Sequence, residues 1–337
     1  MRVLLVKTSS MGDVVHVMPA ITDALAARPG LSFDWLVEEG FVDVARLHPG
    51  VARVIPVATR RWRKAPLAAA TRGEIAALKA DLRRADYDLV LDAQGLVKSA
   101  MLARMPGRPI AGYDGASIRE GLATFFYHRR HRVAWAAHAI DRNRLLFGAV
   151  FGYRPDLDRV DYGLAVPGGG GRSVMLLHGT SWPSKRWATG AWIDLARALA
   201  DRGYAPMLTF ASDEEEAVAR AVAVGEPRTV VIPKARLAVI AEAIGAAAAV
   251  VGTDTGLTHL AVAYDRPTVA VFLSTAPDLT GPKGARVEVL TATRDCAPCR
   301  RKVCALVAAG EDAPCGATIS VEAVVARLDA LAATAGR

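Results

Sequence analysis

Residues 1–40 read MRVLLVKTSSMGDVVHVMPAITDALAARPGLSFDWLVEEG. Val3-Leu4-Leu5-Val6 is a short apolar run, as a parallel strand buried on both faces requires. A Ser9-Ser10-Met11-Gly12-Asp13 turn follows. Val14, Val17, Met18, Ile21 and Leu25 then recur at helical spacing, which gives one apolar face. Pro29-Gly30 stops this helix, and Phe33 to Val37 reads as the next strand. Strands separated by helices predict a parallel, doubly wound α/β sheet.

The rhythm continues outward. Val51 to Val57, Leu89 to Asp92 and Pro109 to Gly112 read as strands, with a helix from about Glu74 to Ala85. Pro167-Gly168-Gly169-Gly170-Gly171 breaks the pattern, because four glycines hold no single backbone conformation cheaply; a linker or exposed loop is expected. The alternation then restarts. Strands are expected at Val174–His178, Pro206–Phe210, Thr229–Ile232, Ala249–Gly252 and Thr268–Phe272. Helices are expected at Ala191–Arg202, Glu214–Val224, Leu237–Ile244 and Gly256–Tyr264, with a last amphipathic one at Val321–Ala333. No short tandem repeat is present, but two similar halves are. The expected domains are 1–165 and 172–320, with 321–337 a C-terminal helix that packs back on the first domain. A cleft shared by two such halves is the expected ligand site.

The chain has 337 residues, 52% of them apolar, enough for two α/β domains. No stretch reaches the roughly 18 uncharged apolar residues of a membrane span; Leu237 to Val251 is broken by Glu242. Val3 to Val6 is too short for a signal-peptide core before Lys7, so a cytosolic location is the default expectation. The formal net charge of +8 points to an anionic partner: nucleic acid, acidic lipid or a phosphorylated substrate. Arg60-Arg61-Trp62-Arg63-Lys64 and Arg129-Arg130-His131-Arg132 carry much of it, either as a binding surface or as an ordinary solvated one. With aromatics at 6% and no aromatic RNA-binding pattern, nucleic acid is not expected. Cys296 and Cys299 have zinc-ribbon spacing, and with Cys304 and Cys315 they make four thiols. The second pair is spread unlike a second knuckle, so reduced thiols in a loop are expected, and no metal site.

Four segments carry chemistry. Lys7-Thr8-Ser9-Ser10-Met11-Gly12-Asp13 joins a strand end to a helix start, the edge where open α/β sheets place active sites. Asp13 falls in the first helical turn, as a general base on a sugar hydroxyl or as a helix cap. Neither a dinucleotide fingerprint nor a P-loop is present. Gly252-Thr253-Asp254-Thr255-Gly256-Leu257-Thr258-His259-Leu260 repeats the strand-turn-helix context in the second half. Backbone N–H groups of Thr255, Gly256 and Leu257 at a helix start suit a diphosphate; His259 reads as a phosphate contact, a cap or a core histidine. In His178-Gly179-Thr180-Ser181-Trp182-Pro183-Ser184-Lys185-Arg186-Trp187, Thr180 and Ser181 offer hydroxyls and Lys185 a point charge. A departing diphosphate needs its growing charge neutralised by Mg²⁺ or by Lys and helix dipoles. No Asp-x-Asp pair stands near these loops to hold a metal. Glu214 lies past a strand end, where carboxylates bind ribose hydroxyls, within an acidic run that equally suits a helix first turn.

Taken together and in order, Lys7 to Asp13, Phe33-Asp-Trp-Leu-Val-Glu-Glu-Gly40, Arg60 to Lys64, Asp92-Ala-Gln-Gly-Leu-Val-Lys98 and Asp254 to Leu260 resemble the lipopolysaccharide heptosyltransferase family, glycosyltransferase family 9, over nearly the whole chain. The resemblance implies a GT-B fold, with acceptor binding in the first domain and ADP-heptose binding in the second. It implies metal-independent, inverting transfer of L-glycero-D-manno-heptose from ADP-heptose to the Kdo region of Kdo₂-lipid A, without a cofactor. Addition of a later heptose, or of another sugar, is the alternative within the family. It assigns Asp13 as base and Lys185 as a catalytic and donor-site cation. Thr180, Ser181, Asp254, Thr255, Gly256, Leu257 and His259 surround the donor, with Glu214 on its ribose. Ser10, Arg60, Arg61, Arg63, Lys64, Lys98 and Arg119 fall to the acceptor. Some relatives carry a methionine beside the adenine where Ala235 falls. An anionic glycolipid acceptor implies a peripheral visit to the cytoplasmic face of the inner membrane.

Overall fold

The computed structural model describes residues 1–168, 171–308 and 310–334. Gly169 and Gly170 of the expected linker, and the end of the C-terminal segment, lie outside them. The chain divides into two compact units, Met1–Ala165 and Val166–Arg337.

The first unit holds strands β1 (Arg2–Val6), β2 (Ser32–Glu38), β3 (Val51–Val57), β4 (Leu89–Asp92), β5 (Ile110–Tyr113) and β6 (Arg129–His131). Its helices are α1 (Met11–Ala27), α2 (Val42–Ala45), α3 (Thr59–Lys64), α4 (Ala69–Arg84), α5 (Val97–Ala103) and α6 (Ala139–Phe151). The second unit holds β7 (Ser173–Leu177), β8 (Ala205–Leu208), β9 (Val230–Val231), β10 (Ala249–Thr253), β11 (Thr268–Phe272) and β12 (Val287–Thr291). Its helices are α7 (Thr189–Asp201), α8 (Asp213–Gly225), α9 (Leu237–Ala246), α10 (Gly256–Ala263), α11 (Pro277–Thr280) and α12 (Val321–Thr334).

Both sheets are six-stranded, every pairing is parallel, and the orders β3-β2-β1-β4-β5-β6 and β12-β11-β10-β7-β8-β9 are the same order in two copies. The reversal of direction falls between β1 and β4 in one unit and between β7 and β10 in the other. Open sheets of this kind bind ligands beyond the strand ends at such a switch point.

Burial explains the central strands. Val3, Leu4, Leu5 and Val6 are fully buried, as are Val250, Val251, Val269 and Val271. Each such side chain contributes roughly 1.5–3 kcal/mol relative to an exposed one. α1 buries Val14, Val17, Met18 and Ile21 against its sheet. In the second unit, Trp192, Leu195 and Leu199 of α7 share a core with Leu176, Val251 and Val271. Trp187 packs edge-on against Trp192, ring centres 5.2 Å apart. α12 buries Val324, Val325 and Leu328 in this same core of its own unit.

Three differences from the sequence reading have one cause. The Arg129-Arg130-His131-Arg132 cluster, read as surface charge, supplies the edge strand β6, and β12 (VEVLT) was not anticipated. β9 spans only Val230–Val231. Edge strands satisfy half their backbone in the ladder and leave side chains in water, so they lack the apolar run that marks a central strand.

Candidate functional site

In the first unit, the turn after β1 is tied down from several sides. The Lys7 carbonyl accepts from the buried Trp35 indole N–H at 3.0 Å, and the Lys7 ammonium donates to the Ala93 carbonyl at 3.0 Å. Ser10 is the N-cap of α1 and Asp13 its third helical residue. The Ser10 N–H and hydroxyl both donate to Asp13 Oδ2, at 2.7 and 3.0 Å. Oδ1 faces the Lys7 ammonium at 3.7 Å, and the Asp13 side chain is 39% exposed. The cap reading holds: Oδ2 accepts from Ser10, while the carboxylate remains partly open to solvent at the sheet's carboxyl edge.

The sequence reading quoted Asp92 and Gln94 without giving them a role. Gln94 Oε1 accepts from the backbone N–H groups of Thr8 and Ser9, at 3.0 and 3.2 Å. The fully buried Asp92 carboxylate accepts from Gln94 N–H, Gly95 N–H, the Ser99 hydroxyl and the Tyr127 hydroxyl at 2.7–3.2 Å. Burial pushes this carboxyl up, and the four donors pull it partly back. Asp92 thus fixes the loop after β4, and Gln94 carries that rigidity to the turn that holds Asp13. A polar side chain two positions past a strand that ends in an acid was the available signal.

The basic residues assigned to the acceptor occupy α3, α5 and a loop. Glu38, at the end of β2, accepts from the Thr59 hydroxyl at 2.6 Å and the Arg60 N–H at 3.1 Å, which anchors the start of α3. Arg60 lies over the Phe41 ring at 5.6 Å. Arg61 is held by Glu39 and Glu74, at 3.2 and 2.9 Å. Among the described residues, Arg63, Lys64, Lys98 and Arg119 are exposed and no acid pairs with them.

In the second unit, the β10–α10 turn brings the predicted donor residues together. Lys185 Nζ lies 2.6 Å from Asp254 Oδ2, with the two side chains 14% and 10% exposed. The Thr275 hydroxyl donates to the same oxygen at 2.7 Å, and His259 Nε2 lies 3.6 Å from Oδ1. Burial alone would raise the Asp254 carboxyl; the His259 hydrogen bond and the Lys185 charge outweigh it and hold the group well below the usual carboxylate range. The Thr180 hydroxyl donates weakly to the Asp254 carbonyl, at 3.4 Å. Lys185 also lies 4.7 Å from the centre of the Trp182 ring.

Thr255 is the N-cap of α10. The N–H groups of Gly256 and Leu257 open its first turn and, by geometry, have no acceptor within the helix. A helix start of this kind suits an anion, and the Lys185 ammonium beside it is paired with Asp254. Gly252 is required here: a Cβ would sit 2.2 Å from Thr258 Oγ1, so only glycine lets α10 close onto β10. The Thr258 hydroxyl is spent inside this turn, donating to the Thr253 carbonyl at 2.7 Å.

Glu214, in the first turn of α8, is exposed and bound through both carboxylate oxygens by the Arg186 guanidinium. Sequence reasoning missed Arg186. Glu214, Arg186, Thr180, Gly179 and Glu215 line one pocket with His178 and Trp192. A Cβ on Gly179 would meet the Glu215 carboxylate at 2.6 Å. Ser181 and Ala235 are exposed. The four cysteines line a separate pocket with Ser184 and Leu273. All are free thiols, and burial pushes Cys315 up. Among the described residues, no three His, Cys, Asp or Glu side chains stand in metal-holding geometry.

Residues 75–309 match the profile of glycosyltransferase family 9 (heptosyltransferase). The chain is 46% identical to lipopolysaccharide heptosyltransferase 1 of Pseudomonas aeruginosa over 318 residues, 93% of this chain and 90% of that one. It is 43% identical to the protein of the same name from Escherichia coli K12 over 302 residues, 88% and 95% of the two chains. Its structure is similar to that of E. coli heptosyltransferase WaaC with ADP, with a TM-score of 0.87, 38% identity, and 98% of this chain and 100% of that one covered. Two such sheets, together with this likeness, define a glycosyltransferase of the GT-B fold. The chain belongs to glycosyltransferase family 9, the heptosyltransferases.

Proposed function

We propose that the chain transfers L-glycero-D-manno-heptose from ADP-heptose to the Kdo region of Kdo₂-lipid A, with inversion and without a metal. The observation that carries this is the Lys185–Asp254 pair beside the α10 start, in a chain similar to heptosyltransferase 1 proteins along nearly all of its length. Asp13 takes the proton of the acceptor hydroxyl, an effect worth roughly 10²–10⁴ in rate. The reacting carbon passes through a species with oxocarbenium character. The diphosphate leaves against the Lys185 ammonium and the N–H groups of Gly256 and Leu257, which neutralise its growing charge. Asp254 holds the Lys185 ammonium in place and compensates its charge before donor binds. Thr180, Ser181 and His259 complete the donor contacts, and Glu214 takes the ribose once Arg186 yields it.

The acceptor, on this reading, is an anionic glycolipid. The enzyme works at the cytoplasmic face of the inner membrane as a peripheral visitor, drawn by its +8 charge. Among the described residues, no helix is long and apolar enough to cross a membrane.

The test is turnover with ADP-heptose and Kdo₂-lipid A in the presence of EDTA. Full activity is expected. A rate that collapses with EDTA and returns with Mg²⁺ refutes the metal-free part. Turnover only on an already heptosylated acceptor refutes the acceptor assignment. Asp13→Asn should lose at least about 10² in kcat while still binding ADP.

A further inference from the structure

The flank of the first unit beside β6 mixes large apolar side chains with unpaired cations. Among the described residues, Met101 on α5 is 61% exposed, and Leu122 and Phe125 on the single 3₁₀ segment Gly121–Phe126 are 67% and 78% exposed. α5 packs along that segment, which sets the three on neighbouring elements. Lys98 and Met101 stand three positions apart on α5 and share its outer face. The Arg104 guanidinium lies 5.4 Å from the centre of the Phe126 ring. Exposed Arg129 and Arg130 follow at once on the edge strand. The Glu120 carboxylate accepts the Val97 N–H at 2.8 Å. One exposed leucine means nothing, but a cluster of three large apolar groups among cations marks an interaction surface.

We infer that this flank docks the enzyme on an anionic lipid bilayer. Met101, Leu122 and Phe125 enter the headgroup layer, and Lys98, Arg104 and Arg129 pair with lipid phosphates. The cation excess fits a phosphate surface. Aliphatic Met101 and Leu122 offer no stacking platform of the kind single-stranded nucleic acids use. Glu120 N–H donates to the Gly95 carbonyl at 3.3 Å, which sets Arg119 beside the start of α5. Arg119, assigned above to the acceptor, therefore adjoins the patch, and Lys98, assigned there too, lies within it. An acceptor whose acyl chains stay in the bilayer would meet its protein contacts there. The inference rests on the lipid-linked acceptor of the proposed function and names the surface that reading leaves open.

The test is flotation of the full chain with phosphatidylglycerol-containing vesicles and with pure phosphatidylcholine vesicles, without donor or acceptor. Binding to the anionic vesicles alone is expected, weakening with salt. Leu122→Ser with Phe125→Ser should lower it at least about fivefold, and Arg129→Ala with Arg130→Ala by a similar factor. Val224→Ser, an equally exposed site on α8, should leave it unchanged. Circular dichroism checks that each variant is folded. Wild-type flotation by the serine double variant overturns the inference, as does equal binding to both vesicle types. Patch-dependent self-association without vesicle binding would assign the surface to a second copy and equally overturn it. Turnover on a water-soluble, deacylated acceptor reads the transferase separately: if it persists while flotation fails, the docking surface falls and the proposed reaction stands.

Discussion

Replacing Lys185 with methionine keeps the length of the stem and removes the one ammonium within 2.6 Å of Asp254. Among the described residues, the Asp254 carboxylate then stays nearly buried with the Thr275 hydroxyl and His259 as partners. Breaking a buried pair on one side costs about 3–5 kcal/mol when no partner remains. Two remaining partners and some solvent access reduce this to about 2–3 kcal/mol. For a unit of this size, that lowers Tm by about 5–10 °C. The pH dependence has a definite sign. A carboxyl held below its unfolded value stabilises the fold above about pH 4, and that contribution is lost as pH falls through the folded value. Without Lys185 the folded value rises toward the unfolded one, so the contribution shrinks and its loss with falling pH ends at a higher pH. The effect on turnover is separate: one preorganised charge at a departing group is worth about 10²–10³ in kcat. The assay pairs thermal melts with ADP release under saturating donor and acceptor. Adding Asp254→Asn to Lys185→Met removes the stranded charge and should restore at least half of the lost Tm, with no return of turnover. Turnover of Lys185→Met within about threefold of wild type refutes the catalytic role. A double variant no more stable than Lys185→Met refutes the electrostatic account.

Gln94→Met removes the acceptor that holds the Thr8 and Ser9 N–H groups. It should lower kcat about tenfold with little change in the KM for ADP-heptose, because it loosens the turn that carries Asp13, the proposed base, and leaves the proposed donor residues of the second unit untouched; Gln94→Glu keeps an acceptor and should lose less. His48 is buried beside Thr22 and Gly50, and burial lowers its pKa to about 4. The fold holds it neutral, so urea-melt stability should fall as pH drops from about 6.5 toward 4, and His48→Gln should flatten that slope. Gly252→Ala forces a methyl to within 2.2 Å of Thr258 Oγ1. It should cost about 1–3 kcal/mol in denaturant melts and weaken ADP binding through displacement of the α10 start.

Much of this protein is written in local patterns. Val3 to Val6 and Ala249 to Thr253 declare themselves as strands because both faces are buried and every position is apolar or small. The turn at Thr255-Gly256-Leu257 is readable as a strand-to-helix start, whose exposed backbone N–H groups motivate the proposed anion site. Asp13 was legible as a cap or a base, since both follow from its place in a first helical turn. Beyond these the sequence is silent, because the partners are far apart along the chain. Gln94 reaches Thr8 across 86 positions, and Thr180 reaches Asp254 across 74. Arg186 takes Glu214, and the arginines of β6 form an edge strand, for reasons no local window contains. The Gln94–Thr8 and Thr180–Asp254 contacts exist only because the sheets reverse direction beside β1 and β7, which sets β4 against β1 and β10 against β7. The side chains choose the elements through burial; the strand order chooses which loop ends meet, and so which charges face one another.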